Sequence, residues 1–199
     1  MREPDMTSQV ALLIVDMQND FVNSQGKACI AGAAETLPRI RRVLETWRSH
    51  GWPLVHIIRA YSPDGHDVEP SRRALFAEKG GFCLPGTWGS EIVPELAPQA
   101  GETVVVKPRW SGFFRTELDA ILRQWGVETV VVSGTQTPNC VRATAFDADA
   151  WGYRVIVLSD GTSSKTPEVQ AANLHDMEAA SFPLITCEEA IHMAESDQT

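Results

Sequence analysis

Short apolar runs punctuate the chain at residues 10–15, 53–58, 103–106, 127–132, 154–158 and 184–186. They are rich in Val, Ile and Leu and do not alternate with polar residues, so they predict strands covered on both faces. Between them the apolar positions change to helical spacing. Leu37, Ile40, Val43, Leu44 and Trp47 mark a helix over 33–49 that His50-Gly51 closes, and Phe114, Leu118, Ile121, Leu122 and Trp125 mark one that Gly126 closes. Further helices are predicted over 138–151, with Gly152 as the stop, over 167–180, and over 188–194. Strand and helix alternate throughout. The fold class this predicts is α/β: a doubly wound, mainly parallel six-stranded sheet with helices on both faces, Rossmann-like. Residues 1–199 are read as one domain, with 1–9 and 195–199 as loose ends.

In such sheets, sites form outside the carboxyl ends of the strands, so the polar residues that stop each run are the ones to inspect. The first run stops at Asp16, the third at Lys107, and the fourth at a turn leading to Cys140. Thr137 is a suitable N-cap and Pro138 a suitable first helical residue, which sets Cys140 in the first turn of the following helix. Unpaired backbone N–H groups and the helix dipole stabilise a thiolate there. A free cysteine that merely packs fits this stretch equally well. The other two strand ends shift the balance. A thiol nucleophile needs a proton acceptor, which Asp16 supplies, and a cation to steady the charges, which Lys107 supplies. The sharp turn ahead of Cys140 also points backbone N–H groups at one spot, as an oxyanion requires.

Composition narrows the partners. A net charge of −9 argues against nucleic acid and anionic membrane, and no apolar run approaches membrane length. Cys29, Cys83, Cys140 and Cys187 are scattered without a C-x-x-C pair, and no leader pattern precedes the first strand, so the thiols are expected reduced and the protein cytoplasmic. Only four of the 17 basic residues are lysines, a faint further pointer to Lys107. The stretch over 60–100 is rich in Gly, Pro and charge and too long for an idle connection; short helices and part of a site are expected in it.

Three segments resemble the isochorismatase-like cysteine hydrolase superfamily: residues 13–21 (LIVDMQNDF), 105–113 (VVKPRWSGF) and 134–148 (GTQTPNCVRATAFDA). The resemblance covers roughly residues 10–162 in the same order and spacing. It implies an Asp16–Lys107–Cys140 triad, a non-proline cis peptide between Thr135 and Gln136, and an oxyanion hole formed by the backbone N–H groups of Gln136 and Cys140. It implies hydrolysis of a C–N bond in a small amide, ureide or lactam through a thioester-type acyl-enzyme, and assembly as a homodimer or homotetramer. The branch of the superfamily that cleaves isochorismate typically lacks the cysteine, so Cys140 points to an amidohydrolase.

The sequence also departs from the superfamily's metal-dependent nicotinamidases, which carry a D-x-H pattern and a further histidine after the second strand. The corresponding stretch here, 59–69 (RAYSPDGHDVE), holds His66 alone among acids. No metal and no other cofactor is expected, and a nicotinamidase stands as the rival enzyme. A catalytically silent small-molecule binding protein is the rival of another class. Phe21, Trp110 and Phe113 are the candidate substrate-binding residues, Trp110 first because it follows the Lys107 strand end so closely. Arg72, Arg73 and Arg109 could clamp a substrate carboxylate, and Gln18 and Asn19 are read as turn residues.

Overall fold

The computed structural model describes residues 9–196. A six-stranded sheet, parallel throughout, runs in the order β3-β2-β1-β4-β5-β6. Its strands are β1 (Val10–Val15), β2 (Leu54–Arg59), β3 (Thr103–Lys107), β4 (Thr129–Thr135), β5 (Arg154–Ser163) and β6 (Leu184–Ile185). The chain starts mid-sheet, runs out to one edge through β2 and β3, then returns to the middle for β4. That reversal leaves a crevice beyond the carboxyl ends of β1 and β4.

The helices are α1 (Asn19–Val22), α2 (Ala33–His50), α3 (Arg73–Glu78), α4 (Leu118–Gln124), α5 (Arg142–Ala150), α6 (Pro167–Ala179) and α7 (Cys187–Ser196). Alternate residues of a strand point to opposite faces, and the sheet accordingly separates two cores. Leu12, Ile14, Val131 and Ile156 pack with α2 and α7 on one face. Leu13, Val15, Val130 and Val132 pack with α4 and α5 on the other. β1 and β4, in the middle, are buried at every position. β3, at the edge, has Val104 and Val106 exposed. Among the described residues no helix is long and apolar enough to cross a membrane.

Several boundaries differ from expectation, each for a local reason. β4 begins at Thr129 rather than 127, because the Val127 N–H donates to Leu122 O and closes α4. α4 begins at Leu118: Phe114 is exposed, and Arg115, at φ 54°, breaks the chain away from helix. β4 and β5 both continue into polar residues, since Gly134↔Thr162 and Thr135↔Ser163 pair beyond a register shift, and a backbone ladder does not need apolar side chains. The 60–100 segment holds α3 and three 3₁₀ turns, with Tyr61, Phe76, Phe82 and Leu96 buried against the α2 face of the sheet. Of the expected loose ends, Gln9 is tied by its carbonyl to the N–H groups of Glu128 and Thr129, and Glu195 and Ser196 belong to α7. The remainder lies outside the described residues.

Candidate active site

β1 ends where Asp16 adopts φ 52°, a left-handed conformation that aspartate tolerates better than most residues. Its N–H still donates to Ile57 O at 2.8 Å, but its side chain now leans across the sheet edge. One carboxylate oxygen, Oδ2, accepts from Lys107 Nζ at 2.8 Å, and neither side chain is more than 2% exposed. The other, Oδ1, is buried without a hydrogen-bond partner. Lys107 closes β3, two strands away in the sheet, so its long side chain spans the end of β2 to reach Asp16. Its Nζ also donates to Arg109 O at 3.1 Å.

The cysteine comes from the other side of the crevice. β4 ends at Thr135, the peptide bond to Gln136 is cis, and residues Thr137–Val141 form one π-helical turn before α5. The N–H groups of Asn139 and Val141 both donate to Gln136 O, at 3.0 and 3.3 Å. Thr137 is not the N-cap its sequence position predicts. Its hydroxyl donates to Ser163 O at 2.9 Å and fastens the turn to β5 instead. Gly134 is required just before it, because at φ 106° a Cβ would stand 2.1 Å from Val15 O. Cys140 itself is 2% exposed. Thr144, one turn on, donates to Cys140 O at 2.7 Å and accepts from the Gly112 N–H at 2.9 Å. The loop after Lys107 is thereby bolted to the turn that carries the thiol.

The link between the two halves is a residue that the sequence pattern did not single out. Arg59 is the last residue of β2, fully buried, with Nη2 3.7 Å from Cys140 Sγ and 2.6 Å from Arg109 O. Lys107 and Arg59 therefore donate to the same carbonyl. Arg59 Nη1 donates to Glu69 Oε1 at 2.6 Å and Tyr61 OH at 2.7 Å, and Tyr61 OH donates to Glu69 Oε2 at 2.5 Å. Gln18 fixes the backbone of Arg59 from both sides, accepting from its N–H and donating to its carbonyl at 2.8 Å each, while also donating to Ser90 O. Asn19 donates to Trp88 O at 2.8 Å. Gln18 and Asn19 thus pin the 60–100 segment to the sheet edge, while Asn19 Oδ1 also accepts from Asn23 Nδ2 at 2.7 Å within its own turn. A second polar residue, after His56, closing a mostly apolar strand was the available signal for Arg59.

The candidate substrate residues separate. Trp110 is half-buried and, with Pro138, Asn139, Arg142, Ala143 and Phe146, lines a cavity of about 280 Å³ beside the Cys140 turn. Arg72 lies 4.4 Å over the Trp110 ring. Phe21 is buried, edge-on to Phe82 at 6.1 Å. Phe113 is buried in the α4–α5 core, 5.9 Å from the Tyr153 ring. Of the arginines, Arg109 spends Nη1 on the carbonyls of Asp67 and Pro108, Arg73 is exposed and Arg72 stacks on the Trp110 ring, while the arginine that lines the cavity is Arg142. Asn139 Nδ2 donates to Gln136 Oε1 at 2.9 Å.

The family model described as the Isochorismatase domain matches residues 10–189. The chain belongs to the isochorismatase family. Its fold agrees with an isochorismatase family protein from Desulfovibrio vulgaris subsp. vulgaris str. Hildenborough, with a TM-score of 0.87 and 49% identity over 90% of this chain and 95% of that one. A "probable inactive nicotinamidase" of Arabidopsis thaliana is 40% identical over 170 residues, 84% of this chain and 87% of its own. The ureidoacrylate amidohydrolase RutB of Yersinia enterocolitica is 33% identical over 191 residues, 86% of this chain and 83% of its own.

A metal-dependent nicotinamidase is the rival enzyme, and it requires metal ligands after β2. In the stretch after β2 where the D-x-H pattern would fall, residues 60–69, His66 is the single histidine, and Arg59 ends the strand ahead of it. The buried guanidinium repels a divalent ion, and Glu69, the nearest acid, is already bound to it. His66 is mostly exposed and paired with Asp64 at 2.7 Å. Among the described residues no group of three or more His, Cys, Asp or Glu side chains is placed to hold a metal. This chain's residues do not fit a metal centre.

Proposed function

We propose that the protein is a cysteine hydrolase that cleaves the C–N bond of a small amide, ureide or lactam. The reading rests above all on the buried, unpartnered Oδ1 of Asp16, held by Lys107 at the same sheet edge as Cys140. A buried carboxylate oxygen without a partner is costly unless something needs it, and we read it as the acceptor of the Cys140 proton. Asp16 and Cys140 are not hydrogen-bonded to each other, as is common for catalytic contacts before a substrate arrives.

In this mechanism Cys140 passes its proton to Asp16 and its sulfur attacks the carbonyl carbon. The carbon–oxygen π pair moves to oxygen, and the backbone N–H groups of Gln136 and Cys140 receive that oxyanion. Collapse breaks the C–N bond, and Asp16 returns the proton to the departing amine. Asp16 then takes a proton from water, which attacks the thioester; the acid leaves and the thiol is restored. Lys107 keeps Asp16 in place and is not consumed. The cavity beside Trp110, about 280 Å³, is at the small end of ligand pockets and suits a compact substrate. Arg142, in its lining, and Arg72, stacked on the Trp110 ring, favour one with a negative charge. RutB, named for an amide-cleaving activity, is the relative that supports this class.

The experiment is release of ammonia or amine from a panel of small amides, ureides and lactams, each with and without a carboxylate, with Cys140→Ala as control. Release that Cys140→Ala abolishes is the expected result. Release that survives the substitution refutes the mechanism, and no release from any compound leaves the binding-protein reading in its place.

A further inference from the structure

We propose that Arg59 is the resident cation of this active site and a catalytic residue in its own right: its guanidinium holds Cys140 as a thiolate. The proposal deepens the cysteine-hydrolase reading and takes from it only the identity of the nucleophile. Nη2 is 3.7 Å from Sγ, within reach of a hydrogen bond to sulfur, and the guanidinium is shut off from water. A charge-assisted contact in such surroundings is far stronger than the same contact at a surface.

The bland reading is a structural ion pair between Arg59 and Glu69. That pair needs Nη1 alone, which already serves Glu69 and Tyr61. It does not explain why Nη2 is turned to the sulfur, nor why the Arg109 carbonyl takes both Nη2 and Lys107 Nζ. The Tyr61 ring at 5.1 Å and the Trp110 ring at 5.5 Å enclose the guanidinium, and Gln18 clamps its backbone. Few side chains are positioned from so many directions.

Charge bookkeeping gives the reason. The groups around the sulfur are Asp16 from β1, Arg59 from the end of β2, Tyr61 and Glu69 beyond it, and Lys107 from β3. Arg59 and Lys107 are positive and Glu69 negative, and Arg72 reaches the Tyr61 hydroxyl at 3.5 Å. Moving a proton from sulfur to Asp16 leaves the net charge unchanged but shifts negative charge from the carboxylate to the sulfur, and Arg59 is the cation in contact with that sulfur. Without Arg59 the thiolate loses that contact and is disfavoured. Consistent with this, burial opposes the charge on Arg59, yet Cys140, Asp16, Tyr61 and Glu69 outweigh it and raise the pKa of the guanidinium. Burial likewise opposes ionised Glu69, but Arg59 and the Tyr61 hydroxyl hold its carboxyl below the usual range.

The test is alkylation of Cys140 by iodoacetamide, followed by peptide mass so that Cys29, Cys83 and Cys187 are counted separately. The quantity read is the rate at pH 6.5 divided by the rate at pH 9.5, which cancels changes in access. In Arg59→Met this ratio falls about tenfold or more, because less of the thiol is ionised at the lower pH. A wild-type ratio in Arg59→Met overturns the proposal. If that variant fails to fold, Arg59→Lys decides: its ammonium lacks the fork that serves Glu69 and sulfur together, so the ratio falls here too, and an unchanged ratio overturns the proposal. Alkylation needs no turnover. A fallen ratio with no compound hydrolysed supports Arg59 and defeats the hydrolase reading, while an unchanged ratio with Cys140-dependent hydrolysis does the reverse.

Discussion

Replacing Lys107 with methionine keeps the length of the side chain and deletes its charge, and it leaves Asp16 as an uncompensated carboxylate in the crevice. The two atoms are 2.8 Å apart and both side chains are at most 2% exposed. At an effective dielectric of about 20, Coulomb attraction at that distance is about 6 kcal/mol, and each ion's desolvation cost of several kcal/mol consumes most of it. Breaking such a pair from one side typically costs about 3–5 kcal/mol. For a domain of this size that lowers the melting midpoint by roughly 6–20 °C. Asp16→Asn leaves the Lys107 ammonium uncompensated instead and should cost a similar amount, although asparagine, like aspartate, tolerates φ 52°. The double variant removes both charges and should recover about 2 kcal/mol or more relative to the sum of the single effects. Urea unfolding at fixed protein concentration, followed through the fluorescence of the six tryptophans, measures all three. Activity should be absent from every one of them, so stability and catalysis separate. Additive stability effects would show that the pair is not coupled, and the role given to Lys107 would fall with it.

Three further outcomes follow. Gly134→Ala should destabilise by about 2 kcal/mol or more, since a Cβ at φ 106° would strike Val15 O at 2.1 Å, and it should slow turnover by shifting the Cys140 turn; denaturant titration of the variant checks this. Trp110→Ala should raise KM at least tenfold with a smaller change in kcat, because the ring lines the cavity away from the reacting atoms; steady-state kinetics on any substrate found will show it. Stability should fall in two stages on acidification. Burial depresses the pKa of His56 below its usual 6.5, so under that pH the unfolded chain takes up a proton that the native one refuses. Glu102 is held down to about 2, where burial opposes its charge but Arg48, the Gln99 N–H and His56 outweigh it, so its contribution, about 3 kcal/mol, is present above 4.5 and drains away between 4.5 and 2. Unfolding midpoints measured from pH 8 to pH 3 test both stages, and in Glu102→Gln the second should flatten.

The framework of this protein was legible because its central strands are buried on both faces and its helices on one. Those periodicities are written in side chains, and they placed Asp16, Lys107 and Cys140 at the carboxyl edge of the sheet before any coordinates. The polar extensions of β4 and β5 were not legible, since residues 159–163 join a ladder through backbone groups that every residue has. Nor was the true partner of Thr137, because Ser163 lies 26 residues away and the choice between capping a turn and bonding to β5 is made by tertiary packing. Arg59 escaped for a related reason. Its position at a strand end was visible, but its meaning depends on Glu69 from the segment over 60–100, which has no periodicity to read.

That segment changes how the site is understood. Gln18 and Asn19, which looked like turn formers, hold it to the sheet at Ser90 and Trp88, and Asp20 secures it again by accepting from the Cys83 N–H at 2.6 Å. What it delivers in return is Glu69, the counter-ion without which a guanidinium at 0% exposure would be prohibitively desolvated. Buried ion pairs contribute little to stability compared with apolar residues of equal volume, and this molecule sets two of them side by side, Asp16–Lys107 and Arg59–Glu69, sharing one backbone carbonyl. Stability does not account for that arrangement. The proposed reaction, in which a proton leaves sulfur and negative charge develops nearby, would account for it, because it needs fixed positive charge in a dry site, and a cation supplied by the chain itself cannot dissociate from it.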